Sequence, residues 1–337
     1  MIRVLACGDV HGHFLLALGV AARWQQEAAF EWDAVLFAGD LGAFYDEQDL
    51  DSATRRHARS NPCELEFLRL WTQNPPSPLV DAVFADPGKG GLGLRCPILT
   101  VLGNHEGFSY IATLVPRSKP LEAVGVSDLP ALDPGNRIRL LPSGWSVRLP
   151  SGLVISGLGG IQKGSRYAGY LSMAFIDDGA VENYVANAVR TDVLLAHEGP
   201  PAAFASGGAE LLEWAARENP PQVYVHGHHV EREVPFILFP DKGKPLVVGV
   251  RDVAFKRRDG MPGSGWVVME FDDPGIAPRM VMGAPEGILR EFRLKRWRAT
   301  RGGILVPPVL FQTAARAGIA LAEWSLIRRQ KRSGHTG

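Results

Sequence analysis

Short apolar runs, each closing on a glycine and then an acid, an amide or an imidazole, set the pattern of this chain. Ile2 to Ala6 reads as a buried strand, and the helical spacing of Leu15, Leu18, Ala22 and Trp24 predicts a helix over Phe14 to Ala28. Asp33 to Ala38 and Pro97 to Leu102 predict two more strands, the second leading to a helix near Phe108 to Leu114. From Arg137 the period becomes strand-like. Arg137 to Leu141, Trp145 to Leu149 and Leu153 to Ser156 are separated by Pro-Ser-Gly turns, which predicts a meander that begins a second sheet. Helices over Ala174 to Val189 and Ala209 to Arg217 then alternate with strands over Asp192 to Ala196 and Gln222 to Val225. Strands over Pro235 to Phe239, Pro245 to Val250 and Gly265 to Phe271 close the unit near Asp272. Two sheets packed face to face with outer helices is the expected architecture.

Two stretches do not fit that alternation. Residues 45–95 read as helical and charged through Trp71, then as loop through Asn74-Pro75-Pro76-Ser77-Pro78 and the glycines at 88, 90, 91 and 93; they are expected to form an inserted cap beside the main domain of 1–272. Residues 273–337 form a basic extension in which Val309 to Ile327 places Phe311, Ala315, Gly318, Ile319, Ala322 and Leu326 on one face of an expected amphipathic helix. Its back-packing on the sandwich is the expectation, with docking on a partner or an acidic membrane surface as the alternative.

Charge sharpens this division. The 337 residues sum to zero, but Glu286 to Gly337 holds eleven Lys or Arg against three Glu, a balance of +8, which leaves the residues before it acidic. The run Arg290 to Arg298, with Trp297 inside it, has the composition that neutralises phosphates and stacks a base, so contact with nucleic acid is one reading of it. A solvated face against the acidic domain is the other, and the one adopted. With 46% hydrophobic and 21% charged residues the chain can bury a large core. The three separated cysteines, Cys7, Cys63 and Cys96, argue against a disulfide framework and for the cytoplasm. The short run before Gly8 leaves no room for a signal peptide, and no window reads as a membrane span.

The chemistry lies where the apolar runs end: Gly8-Asp9-Val10-His11-Gly12, Gly39-Asp40, Gly103-Asn104-His105-Glu106, His197, and His226-Gly227-His228. Each brings Asp, Asn or His to a strand end. Oxygen and imidazole donors delivered from several strands suit a pair of borderline divalent metals, because one loop cannot fill two adjacent coordination spheres. A two-metal hydrolase is the reading.

Taken in order, Gly-Asp-x-His-Gly, Gly-Asp, Gly-Asn-His-Glu, a later His and Gly-His resemble the calcineurin-like metallophosphoesterase superfamily over about residues 1–272. The resemblance implies a four-layer αββα sandwich of two mixed sheets with flanking helices, and a hydrolase of phosphoric esters that attacks through a hydroxide bridging two divalent ions, Mn, Fe or Zn. It implies Asp9 and His11 on the first metal, Asp40 on both, and Asn104, His197 and His228 on the second. His105 matches the family's non-ligand histidine that protonates or stabilises the departing oxygen, with Glu106 supporting it. Many relatives end on Gly-His-x-His, whose last His completes the first metal; here that position is Val230. Either that place is open, or His226 serves.

Departures from the family bear on substrate. Protein phosphatases of this type follow the second Gly-Asp with an Arg that clamps phosphate, whereas this chain reads Gly39-Asp40-Leu41-Gly42-Ala43. Lys163, Arg166 and Arg251 are the possible phosphate-binding replacements. The missing clamp and the basic extension lean the reading to phosphodiesters of nucleotides or nucleic acid rather than another phosphorylated small molecule. A phosphomonoesterase or Ser/Thr phosphatase-like enzyme is the alternative, and a non-catalytic metal-bound scaffold is a third.

Overall fold

A computed structural model of the protein describes residues 1–116, 118–162, 169–186, 189–232, 234–256 and 258–323. The amino-terminal part runs β1 (Ile2–Cys7), α1 (Phe14–Ala28), β2 (Ala34–Phe37), α2 (Ser52–Ala58), α3 (Pro78–Phe84), β3 (Ile98–Thr100) and α4 (Phe108–Leu114). Then come β4 (Val124–Gly125), β5 (Ile138–Leu140), β6 (Ser146–Arg148), β7 (Val154–Leu158), α5 (Asp178–Ala186), β8 (Val193–Ala196), α6 (Glu210–Glu218) and β9 (Val223–His226). The rest comprises β10 (Phe236–Ile237), β11 (Leu246–Gly249), β12 (Trp266–Phe271), β13 (Arg279–Met282), α7 (Glu286–Glu291), β14 (Arg298–Thr300), β15 (Leu305–Val306), α8 (Phe311–Arg316) and β16 (Leu321–Glu323).

Strand periodicity builds the layers. Because successive side chains point to opposite faces, Val4 and Ala6 of β1 and Ala34 and Leu36 of β2 meet Val193 and Leu195 of β8 and Val223 and Val225 of β9 in one apolar cluster between two sheets. The intervening Leu5, Val35 and Phe37 point the other way, onto α1, while Leu194, Ala196 and Tyr224 point onto α5 and α6. Strands covered on both faces carry continuous apolar runs, which is why the motif-bearing strands lack the alternation of an exposed sheet. The result is the expected αββα sandwich of mixed sheets: β13-β12-β1-β2-β3-β5, with β12 antiparallel to both its neighbours, and β10-β11-β9-β8-β7-β6-β4, whose centre is parallel.

Three expectations are corrected. The strand at 138–140 does not open the second sheet; it pairs in parallel with β3 at the edge of the first, and the turn at Pro142-Ser143-Gly144 carries the chain across, Gly144 donating to the Gly157 carbonyl at 2.8 Å. Within residues 45–95, α3 starts at Pro78 where a loop was expected. Proline is tolerated at the first helical position, because the N–H it lacks has no partner there in any case. The helix expected over Val309 to Ile327 covers only Phe311–Arg316, since Gly318 turns left-handed at φ +70° and the chain resumes as β16; residues 324–327 lie outside those described.

Helix α1 is buried all round from Phe14 to Ala22, a burial that needs a cover outside the first sheet. Residues after 285 supply it. Ile288, Phe292, Trp297, Leu305, Leu310 and Ala314 join the cluster of Phe14, Leu18 and Trp71, and a Cβ added at Gly19 would sit 2.7 Å from the Phe292 ring. A small sheet, β15-β14-β16, completes this layer.

Candidate metal centre

The parallel strands deliver their polar residues to one edge, where α/β sheets place their ligands. β1 leads to Asp9 and His11, β2 to Asp40, β3 to Asn104 and His105, β8 to His197, and β9 to His226 and His228. Turns this tight strain the backbone. Five non-glycine residues have positive φ among those described, and three are His11, Asp40 and His228, at 41°, 44° and 56°. Such conformations cost about 1–3 kcal/mol each and persist where the surrounding structure holds them.

What holds them is a mesh of backbone bonds around buried carboxylates. Asp40 Oδ1 accepts the amides of Asn104 at 2.6 Å and His105 at 2.8 Å, and Asp9 Oδ1 accepts the His228 amide at 2.8 Å. Glycine makes both contacts possible: a Cβ at Gly103 would lie 2.0 Å from Asp40 Oδ1, and one at Gly227 2.3 Å from Asp9 Oδ1. Glu106 fastens the loop after Asp40, accepting the amides of Leu41 at 2.8 Å and Ala43 at 2.9 Å. Burial, then the nearby Asp40 charge, pushes its carboxyl up to about 8.

The donor atoms converge. One ligand atom each from Asp9, Asp40, His197 and His228 lies within 4.8 Å of every other. His11 Nε2 stands 3.8 Å from Asp40 Oδ2, and Asn104 Oδ1 stands 3.2 Å from His197 Nε2. All six residues expected as ligands are therefore gathered at one place. His197 also supplies the test of fit. Its Nδ1 donates to the Ala38 carbonyl at 2.8 Å, so in the neutral ring the Nε2 lone pair faces Asn104 Oδ1 and, at 3.4 Å, Asp40 Oδ1. A metal cation between these lone pairs would relieve both contacts at once, and the nitrogen and oxygen donors suit a borderline divalent ion.

Electrostatics agree with that fit. Burial pushes Asp9 well above the usual carboxylate range, helped by the Asp40 charge. Burial opposes the Asp40 charge too, yet the His197, His11 and His105 rings hold its carboxyl below that range. Burial lowers His11, and lowers His228 to about 3, a shift in each case toward the neutral form that ligates.

His105 stands at the rim, its ring 5.7 Å from that of His11. Its Nδ1 bonds Asp51 Oδ2 at 3.0 Å, and this bond foremost raises the ring to about 9. Asp51 escaped the reading of the sequence. It lies just before α2 and caps that helix through its other oxygen, which accepts the Thr54 amide at 2.8 Å. The cap was legible as Asp ahead of a helix; its reach to His105 has no local signature.

His226 does not join the cluster. Its Nδ1 bonds the Gly227 carbonyl at 3.0 Å, its Nε2 is buried without a partner among the described residues, and the ring lies against Gly199 and Gly249. The expected alternative of His226 as a further ligand is therefore not supported by its position. Arg251 is exposed, with its carbonyl packed on Gly8, while Lys163 and Arg166 lie outside the described residues.

The model of the calcineurin-like phosphoesterase family matches residues 2–232, more than half of the chain. The chain belongs to the calcineurin-like phosphoesterase family. Members of this family bind divalent metals, and the cluster of Asp9, Asp40, His197 and His228 is a group able to hold one. No curated protein matches the sequence. Among solved structures, TT1561 of Thermus thermophilus is similar with a TM-score of 0.45 at 11% identity, over 84% of this chain and 98% of that one. Another crystal structure is similar with a TM-score of 0.48 at 13% identity, over the same shares. Among the described residues no helix is long and apolar enough to cross a membrane.

Proposed function

We propose that this calcineurin-like phosphoesterase hydrolyses phosphodiesters of nucleotides or nucleic acid with two divalent ions. Asp9 and His11 would hold one, Asn104, His197 and His228 the other, and Asp40 both. The observation that carries this reading is the convergence of the Asp9, Asp40, His197 and His228 donor atoms within 4.8 Å. Ions bound there would supply Lewis acidity toward the phosphoryl oxygens and a water acidic enough to ionise near neutral pH.

The protein's own groups prepare the site. The Asn104 and His105 amides fix the Asp40 carboxylate, and Glu106 fixes the loop that carries it, so the donors need no reorganisation when substrate arrives. Because Asp51 binds His105 at Nδ1, Nε2 is the ring atom left to pass a proton to the departing ester oxygen. The diester preference is supported by the residues next to Asp40 in the chain: buried Leu41, then Gly42 and Ala43, with no cation to clamp a monoester dianion. The cytoplasm is the compartment this reading implies, and free Cys7, Cys63 and Cys96 support it.

Purified protein supplied with manganese is expected to hydrolyse an activated aryl phosphate diester faster than the matching monoester, and a chelator is expected to abolish both. A faster monoester rate would turn the reading to a phosphomonoesterase. Metal binding without turnover of any phosphate ester would leave only a scaffold.

A further inference from the structure

The insertion and the basic segment after 285 contribute to one cleft of about 1740 Å³ that opens at the metal centre, where His11 and His105 line it. Arg56 and His57 of α2 line one part of it, Val253 to Lys256 another, and Leu294 to Arg298 with Phe311 a third. Five exposed cations reach into it: Arg56, Lys256, Lys295, Arg296 and Arg298. None of the five has a carboxylate at ion-pair distance among the described residues, Arg56 contacting His57 and Arg298 lying over the Phe311 ring at 4.9 Å. Two acids of the same segment are engaged elsewhere, Glu286 with Arg290 and Glu291 with Arg23. Three acids, Glu64, Asp252 and Asp259, also line the cleft, so cations outnumber them.

The cations stand on a fixed frame. Trp297, offered to a base in one of the two sequence readings of this run, is only 2% exposed, with its Nε1 donating to the Phe292 carbonyl at 2.8 Å and its ring 5.3 Å from Phe255. It is unavailable to a base, but its burial holds Lys295, Arg296 and Arg298 around it in place. Half-buried apolar faces of Phe255, Leu294 and Phe311 lie between the charges. A positive groove interleaved with apolar and aromatic surface is what a single strand rewards, because its phosphates recur at each unit and its bases are unstacked. A duplex hides those base faces, and a phosphopeptide offers one phosphate where five cations wait. The volume exceeds the roughly 300–1,000 Å³ of small-molecule sites, so a mononucleotide would leave most of the cleft unfilled.

We propose that this cleft holds a single strand of nucleic acid, with one phosphodiester at the metal centre and the flanking phosphates on Arg56, Lys256, Lys295, Arg296 and Arg298. The proposal rests on the phosphodiesterase reading of the centre. It is tested by fluorescence anisotropy on the metal-loaded, full-length protein, with phosphorothioate-linked RNA and DNA strands of about ten nucleotides, within the usual single-strand site size of about 4–16. Either strand type is expected to bind tighter than a mononucleotide, a duplex or a phosphopeptide, and the better of the two identifies the source. The Lys295→Gln/Arg296→Gln/Arg298→Gln variant is expected to bind about tenfold more weakly or worse, with a salt slope shallower by about 2, at about 0.7 per lost phosphate contact. Lys256→Gln, on another part of the cleft, is expected to reduce the slope by about 0.7, which keeps the test decisive should the triple variant misfold. Arg217→Gln, outside the cleft lining, removes the same charge and is expected to leave binding unchanged. Binding no tighter than a mononucleotide, or a slope equal in wild type and Lys256→Gln, would overturn the proposal. Turnover of the aryl diester without strand binding would sink this proposal alone, whereas strand binding without turnover would sink the reading of the centre.

Discussion

The metal centre and the cleft beside it are built by opposite means. At the centre every donor sits within a few residues of a strand end, and all but His197 stand beside a glycine: Gly8 and Gly12 around Asp9 and His11, Gly39 before Asp40, Gly103 before Asn104, Gly227 before His228, with positive φ at His11, Asp40 and His228 themselves. In the cleft the cations belong to segments far apart in sequence, held by apolar contacts made elsewhere, such as Phe292 on Gly19 and Trp297 on Phe255. Local turn chemistry can set an atom to a fraction of an ångström, which metal ligation requires. Long-range apolar contact sets a surface, which is enough for binding a flexible polyanion.

The largest effect that would break this contrast is at Asp40. Asp40→Asn keeps an oxygen for the Asn104 and His105 amides and removes only the charge, so the loop is expected to stay folded while bound metal, measured by mass spectrometry, is lost. Turnover is expected to fall about 10³-fold or more, roughly 4 kcal/mol. Full metal content in this variant would show that the centre does not depend on its carboxylate. Next in size is Phe292→Ala, which empties a fully buried site and is expected to cost about 3–5 kcal/mol in denaturant unfolding. One cooperative transition, shifted as a whole, is expected because Phe292 shares a cluster with α1; two separate transitions would show that the basic segment stands apart.

The same contrast explains what could be read from sequence. Strands that end on Asp9, Asp40, Asn104, His197 and His228 were legible because an apolar run and a Gly-polar turn are local patterns, and strands buried on both faces need no alternation to be recognised. The sheet to which Ile138–Leu140 belongs was not legible, because its run is equally compatible with either partner and the choice is made by pairing with β3, some 40 residues upstream. The pattern over Val309 to Ile327 reads as one helix until Gly318, whose left-handed turn ends it, so α8 is short and β16 comes next. Asp51 was missed for the same reason as the cleft. A capping aspartate looks alike whether or not a histidine from Gly103-Asn104-His105 comes to meet its second oxygen.

Two smaller effects probe the rim where centre and cleft meet. His105→Ala removes no expected ligand, so metal content is expected to hold while turnover of the aryl diester falls about 100-fold, the scale of a lost general acid. An unchanged rate would remove the role assigned to that ring.

Asp51→Asn separates the two tasks of a residue that the start of α2 contributes to the centre. Asparagine caps a helix about as well as aspartate, so α2 and the cleft wall that it carries are expected to stay in place, with the unfolding midpoint nearly unmoved. The charge that binds His105 Nδ1 is lost, and positioning partners of this kind are worth about 10- to 100-fold. Turnover is expected to drop about tenfold, less than for His105→Ala because the ring itself remains. In the double variant the two losses are expected not to add, since a residue that acts only through His105 has nothing left to position once that ring is gone. Full additivity would mean that Asp51 acts on the reaction through the cleft wall rather than through the histidine.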